Sequence, residues 1–303
     1  MMRPPALRPS SFVTRHAPRG FTLLELLVIC LILAVLVLML GPALARSLSG
    51  STALQCMNNH RQLCAAWRMY ADDNRDRILY ASDDGNGTPY QPNAPPSPYS
   101  QNNYAWTWSK MDFYSGNPYN WDPAADMTLR LLWSYAGKET NLFKCPSDRS
   151  YVVVNGQAAP RVRSVSMNFY LGGFAGSASG SSFPGANNYQ LYTKLSAIGV
   201  PNKTFVFLDQ RADNINWGSF LTDMTGYSNN PAAYKFNEDL PGFYHDQGCT
   251  FSFVDGHVKE KRWIDPRTTP PPNPNGSLGG GPSFPSPSNP DVGWLQDHAT
   301  RPR

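Results

Sequence analysis

Residues Arg19–Leu40 read RGFTLLELLVICLILAVLVLML, an apolar run with one carboxylate, Glu25, near its start. No other charged side chain falls between Phe21 and Leu40. At about 1.5 Å per residue, a helix of this length matches a hydrocarbon core of about 30 Å, so a membrane span is expected over 21–41. A carboxylate at mid-membrane costs about 2.5–3.5 kcal/mol, so Glu25 needs an account. Either it sits shallow and reaches headgroup water, or it meets a cation. Ahead of the run, 1–20 holds Arg3, Arg8, Arg15 and Arg19 and no acid. That asymmetry keeps the N-terminal side cytoplasmic and exports the chain beyond the run. A secretory signal fits poorly, because the run is longer than an h-region and GPALA at its far end leads into more helix-like sequence.

Beyond Pro42, where a helix can kink, the helical rhythm continues. Leu44, Leu48, Cys56, His60, Leu63, Trp67 and Tyr70 fall near one stripe, so 42–76 reads as the amphipathic half of the same helix. Ser49, Gly50 and Ser51 weaken it locally and predict a bend. The whole rod would be on the order of 80 Å long, more than one bilayer, so its second half must dock on a folded domain. Asp72, Asn74 and Asp76 alternate as in the first half of a calcium loop, but the glycine such a loop needs is missing. No metal is expected there.

Past residue 77 the chain turns to Pro, Gly, Asn, Ser and aromatics. Tyr151–Val154, Arg163–Leu171, Lys203–Asp209 and Cys249–Trp263 carry the β-branched and aromatic alternation of strands. Breakers mark the stretches 88–109 and 172–188 as loops. An α+β domain is expected over 77–265, with the long helix laid on a mainly antiparallel sheet. The Pro/Gly-rich tail, 266–303, reads as a linker with a small anchor, Trp294 and Leu295, that packs back on the domain. Asp255-Gly256 predicts a two-residue hairpin turn. Its register pairs Val254 with His257 and Phe253 with Val258. Phe251, Phe253 and Val258 would then face the helix, with Lys259 and Lys261 on the opposite face.

Gly20, Phe21, Thr22, Leu23, Leu24 and Glu25, after a basic leader, resemble the processing site of type IV prepilins and type II secretion pseudopilins. The resemblance implies a pilin-like fold. It also implies cleavage by a prepilin peptidase between Gly20 and Phe21, N-methylation of Phe21, and pairing of Glu25 with a neighbouring subunit's N-terminal amine. A buried acid is tolerable when so paired. His245, nine residues, then Asp255-Gly256 is similar to the H-x9-DG region of a group of prepilin-like proteins common in Planctomycetes and Verrucomicrobia. Gln55–Leu63, Tyr70–Asn74, Phe143–Asp148, Ser166–Leu171, Pro201–Asp209, Arg262–Thr268 and Trp294–Gln296 have counterparts there.

Cys30 lies in the expected span, which leaves Cys56, Cys64, Cys145 and Cys249 in an oxidising compartment with three possible pairings. The resemblance implies Cys56 with Cys145, since QCMNN and KCPSD both belong to it. Cys64 and Cys249 stand where the family more often has small residues, and their joint presence points to a second bridge. Cys56 and Cys64 lie two helical turns apart, roughly 12 Å, too far to pair with each other. The alternative is four buried free thiols.

No nucleophile motif, phosphate loop or paired metal-ligand spacing is present. His245, Asp255 and His257 are better explained by a turn and a cap than by a metal or acid–base site. No catalytic residue, metal or cofactor is expected. The net charge of +4 is dispersed and partly in the leader, so no nucleic-acid partner is expected. The resulting expectation is a single-pass inner-membrane pseudopilin with a periplasmic domain. Its partners would be the prepilin peptidase, other pseudopilin subunits, the secretion platform and the membrane. The alternative is a membrane-anchored periplasmic or surface binding protein that never polymerises.

Overall fold

The computed structural model describes residues 22–83, 101–108, 110–175, 188–273 and 283–303, and in helix 1 the side chains outside 37–49. The cleavage pair Gly20 and Phe21, the leader, and most of both expected loops lie outside the described residues. The chain divides into two units, Met1–Leu48 and Ser49–Arg303.

Helix α1 (Leu23–Asp73) contributes to both units. In the first unit its described side chains are exposed on every face, from Leu23 at 82% to Ile29 at 41% and Leu36 at 49%. Among the described residues no helix is long and apolar enough to cross a membrane. The described side chains of the apolar run end at Leu36, and the span over 21–41 rests on the sequence.

In the second unit, α1 buries Cys56, Asn59, His60, Leu63, Cys64, Trp67, Tyr70 and Ala71. That is one stripe at helical period. It ends at Asp73, after which Arg75 and Asp76 take positive φ. The expected calcium-like alternation does not converge. Asn74 donates back to Tyr70 O at 2.8 Å, and Asp76 accepts from Ser196 N at 3.0 Å.

After the short helix α2 (Leu131–Tyr135) come β1 (Tyr151–Val154) and β2 (Gln157–Pro160), paired as an antiparallel hairpin. The central sheet is made of β3 (Val165–Asn168), β4 (Phe205–Asp209), β5 (Ser219–Phe220), β7 (Gly248–Phe253) and β8 (Val258–Arg262), in the order β5-β3-β4-β7-β8. Only the β3–β5 pair is parallel. β6 (Lys235–Phe236) and β9 (Phe284–Pro285) form a separate ribbon, and helix α3 (Pro290–Ala299) closes the chain. The fold is α+β with a mainly antiparallel sheet.

The central sheet is covered on both faces. Val165, Met167, Val206, Phe207 and Val254 pack with Leu63, Cys64 and Trp67 of α1. Phe205, Leu208, Cys249, Phe251 and Phe253 pack with Val292, Leu295 and Ala299 of α3. The alternation along β3 follows the pleat: Met167 faces α1, while Asn168 donates to Ala299 O at 2.8 Å on the α3 side.

Composition hides α3, which lies in the segment that reads as a linker. Its start is nonetheless specified: Asn289 is the N-cap, accepting from Asp291 N at 2.8 Å, and Pro290 follows at the first position, where its missing N–H costs nothing. Asp291 is fully buried and accepts from Lys261 Nζ at 2.8 Å, Ile264 N at 3.0 Å and Asp265 N at 2.9 Å. Trp294 meets Phe251 edge to face at 4.9 Å.

The hairpin register differs from expectation by one residue. Phe253 N donates to His257 O at 2.9 Å and Gly256 N to Phe253 O at 2.8 Å, so the loop has three residues, Val254, Asp255 and Gly256. Gly256 takes φ +96°, the left-handed residue that closes a loop of this kind. Val258 therefore pairs with Ser252, and Phe251 with Lys259. A one-residue shift moves the β8 side chains to the other face relative to those of β7, so Lys259 rather than Val258 shares a face with Phe251. Phe251 and Phe253 look toward α3 rather than α1. Lys259 and Lys261 share that side, 5.9 and 5.8 Å over the Trp294 ring.

Candidate functional site

Two places bring together the residues singled out in the sequence. At the start of α1, Thr22 N donates to Glu25 Oε2 at 2.9 Å, Thr22 Oγ1 donates to the same oxygen at 2.9 Å, and Glu25 N donates back to Thr22 Oγ1 at 3.3 Å. This is the reciprocal Thr-x-x-Glu cap of a helix N-terminus. It satisfies two backbone donors that the first turn would otherwise leave open. Weighing snorkelling against a cationic partner overlooks this use of Glu25, although Thr22 three residues before it is the signal.

The second place lies where four segments meet. Cys56 comes from α1 and Cys145 from the turn after the 3-10 stretch Thr140–Phe143. Asp209 ends β4, and His245 opens the tight turn before β7. In that turn Asp246 and Gln247 both have positive φ and Gly248 N donates to His245 O at 2.7 Å, which fixes the imidazole at the root of β7. Asn59 Nδ2 donates to Asn141 O at 2.9 Å and holds the Cys145 segment against α1.

The four side chains converge. Cys56 Sγ donates to Asp209 Oδ2 at 3.0 Å, and Cys145 Sγ lies 3.1 Å from His245 Nε2. All four donor atoms lie within 4.8 Å of one another. Exposure is 2% or less at each residue. Around them, Ser164 Oγ donates to Asp209 Oδ1 at 3.2 Å while accepting from Cys145 N at 2.7 Å. Ser147 Oγ stands 3.5 Å from His245 Nδ1, leaving Nε2 to face the sulfur. His60 Nε2 lies 3.3 Å from Asp209 Oδ2. Neither ring nitrogen of His60 makes a hydrogen bond.

The electrostatics split the two thiols. Cys56 is pushed up by its hydrogen bond to Cys145, by burial and by the Asp209 charge. Burial also opposes the Cys145 thiolate, yet the Cys56 thiol and the His245 imidazole beside it outweigh burial and bring Cys145 below the ordinary thiol range. His245 is raised in turn: burial disfavours its charge, but Cys145 favours it more. Two thiols, an imidazole and a carboxylate in one buried spot can hold a thiophilic cation, or the thiols can oxidise to a disulfide.

All five cysteines are free in the structure, so neither expected bridge is formed there. Cys56 and Cys145 are neighbours, as the family blocks implied, but unbonded. Cys64 and Cys249 are not partners at all. Cys64 packs in the α1-side cluster with its Sγ donating to Phe253 O at 3.2 Å, while Cys249 sits in the α3-side cluster donating to Asp209 O at 3.1 Å. The sheet separates the two clusters.

His245 and the Asp-Gly pair stand at opposite ends of β7 and form no common site. Asp255 Oδ1 accepts from His257 N at 3.1 Å and meets His257 Nδ1 at 2.6 Å, and Asp255 O accepts from Arg68 Nη1 at 2.5 Å. His257 stacks on Phe253 at 4.2 Å rather than pointing away from it, a consequence of the three-residue loop. Sequence reasoning missed Asp209 and His60. The Cys56-x3-His60 spacing on one helix face was the available signal.

Residues 15–41 match a family model for the prokaryotic N-terminal methylation motif, so the chain carries a prepilin-type N-terminal segment. The match does not extend to His245, Asp255 or Gly256. No curated protein and no solved structure matches the chain.

Proposed function

We propose that the chain is a prepilin-like pseudopilin subunit of the H-x9-DG group. It is cut between Gly20 and Phe21 by a prepilin peptidase, methylated on Phe21, and assembled through α1 into a type II secretion or type IV pilus-like filament. The observation that carries this reading is the methylation-motif match over 15–41, which takes in Gly20, Phe21 and Glu25. The unpartnered apolar side chains over 23–36 support it, because a surface of that kind needs lipid or other subunits to cover it. The protein would sit in the inner membrane through 21–41, with its sheet domain in the periplasm, and would engage neighbouring pseudopilins and the secretion platform.

Intact mass of the protein taken from membranes tests the first step: a chain beginning at methylated Phe21 is expected, and Gly20→Trp should leave it full length and unmethylated. A mature terminus elsewhere sinks the reading. The Thr22–Glu25 cap favours a second reading, an anchored binding protein that never polymerises, since it accounts for Glu25 within one chain. Shearing and crosslinking decide between the two. Filaments or subunit ladders are expected from the wild type under the first reading and neither under the second.

A further inference from the structure

We propose that Cys56, Cys145, Asp209 and His245 form a closed tetrahedral site for a thiophilic divalent cation, zinc by its donor chemistry, which ties the second half of α1 to the sheet. A donor set of two thiolates, one imidazole and one carboxylate suits a borderline-soft ion that accepts sulfur, nitrogen and oxygen together. With Zn–S near 2.3 Å and Zn–N or Zn–O near 2.0 Å, tetrahedral edges run about 3.3–3.8 Å. Two donor pairs stand at 3.0 and 3.1 Å and would open by about 0.5 Å, and all four donor atoms lie within 4.8 Å of one another, so the remaining pairs would close by at most about 1.5 Å.

Burial makes the site structural rather than catalytic. With exposure between 0 and 2%, no face is left for a substrate. The four ligands come from α1, the Cys145 turn, β4 and the turn before β7, so one cation pins four segments that are distant in sequence. Binding displaces two protons from the Cys56, Cys145 and His245 set to solvent, leaving two thiolates, a carboxylate and a neutral imidazole around the ion.

His60 is the independent observation. It is fully buried, both its nitrogens lack hydrogen bonds, and its Nε2 faces the Asp209 carboxylate at 3.3 Å. A histidine so placed serves as an outer partner to a ligating carboxylate, as Ser147 does for His245 Nδ1 and Ser164 for Asp209 Oδ1. A Cys56–Cys145 disulfide would use two of these residues and leave Asp209 with Ser164 and His60, and His245 with Ser147 alone. The cation uses all of them. The site stands whether or not the chain polymerises.

The test uses the full chain extracted from membranes in detergent. One zinc per chain by elemental analysis is expected, together with thiolate charge-transfer and tetrahedral ligand-field absorption when the reduced, metal-stripped protein is titrated with Co2+. Cys145→Ala and His245→Ala should abolish those bands, His60→Ala should weaken Co2+ binding about 10-fold, and Cys64→Ser should leave them intact. Should a variant fail to fold, the wild-type spectrum decides alone. Two results overturn the proposal: a reduced wild-type protein that gives no thiolate bands with Co2+, or a metal-free protein from cells in which nonreducing peptide mapping finds Cys56 linked to Cys145.

Discussion

The two halves of α1 share one secondary structure and differ in everything that surrounds it. From Leu23 to Leu36 its apolar side chains are exposed all round, while from Cys56 to Ala71 one stripe is buried and the other faces are wet. A helix that is hydrophobic on every side is built for a nonpolar medium or for many neighbours, and one with a single stripe for a single partner. In the second half that partner is the chain's own sheet. The stability of the second half can therefore be measured in one folded chain.

The largest effect should come from the packed half. Trp67 is fully buried between α1 and the sheet, and Trp67→Ala should lower domain stability by about 3–5 kcal/mol, read as a loss of denaturant midpoint at constant slope. Its indole N–H makes no hydrogen bond, so Trp67→Phe should cost well under half as much. Leu27→Ala, at 60% exposure in the other half, should leave the domain's unfolding unmoved. Equal losses at Trp67 and Leu27 would end the distinction between the halves.

This contrast explains how far the sequence could be read. Period and composition revealed α1, its buried stripe from Cys56 to Tyr70 and the strands β1, β3, β4, β7 and β8, because each pattern is local. α3 was hidden because its helical signal is ten residues inside a Pro/Gly-rich tail, although Asn289-Pro290 marks its start. The hairpin faces were missed because Asp-Gly serves loops of two or three residues, and only Phe253 bonding to His257 rather than Val258 tells them apart. At the buried cluster, Cys56, Cys145 and His245 were each legible, but as a disulfide and a motif. Their convergence with Asp209 is a product of four segments meeting, which no spacing records.

A smaller but sharp effect is expected where the chain passes close to itself. Gly172 has φ +89°, and a Cβ there would come within 2.3 Å of Leu79 O, just beyond the end of α1. Gly172→Ala should destabilise the domain by at least about 1–3 kcal/mol, because the positive φ strains an L side chain and the Cβ meets the backbone at Leu79 and Tyr80. A neutral result would mean that the loop carrying Leu79 yields freely, and that the packed half is less fixed than the buried stripe indicates.

A pH dependence is expected on the α3 side of the domain. Burial pushes the Asp239 carboxyl from 3.8 to about 7, partly offset by hydrogen bonds from Leu221 N and Gln210 Nε2. The folded protein thus holds a proton that the unfolded chain releases. This contribution to stability is complete below the unfolded value, declines as pH rises, and is gone above about 7. Asp239→Asn should flatten that part of the stability profile between pH 4 and 7. An unchanged slope would assign the dependence to other groups.

The smallest effect on domain stability, and the most informative about the exposed half, belongs to Glu25. It is exposed and tied only to Thr22, so none of its substitutions should move the unfolding of Ser49–Arg303. The question is whether its charge or its cap matters. Glutamine serves the third position of a capping box as glutamate does, so Glu25→Gln keeps the cap and removes the charge. Thr22→Ala does the reverse. If Glu25 pairs with a neighbouring subunit's N-terminal amine, Glu25→Gln should insert and be cleaved normally yet fail to enter sheared filaments, while Thr22→Ala still assembles. If the cap is the whole role, the order inverts: Thr22→Ala assembles poorly, and Glu25→Gln is indistinguishable from wild type.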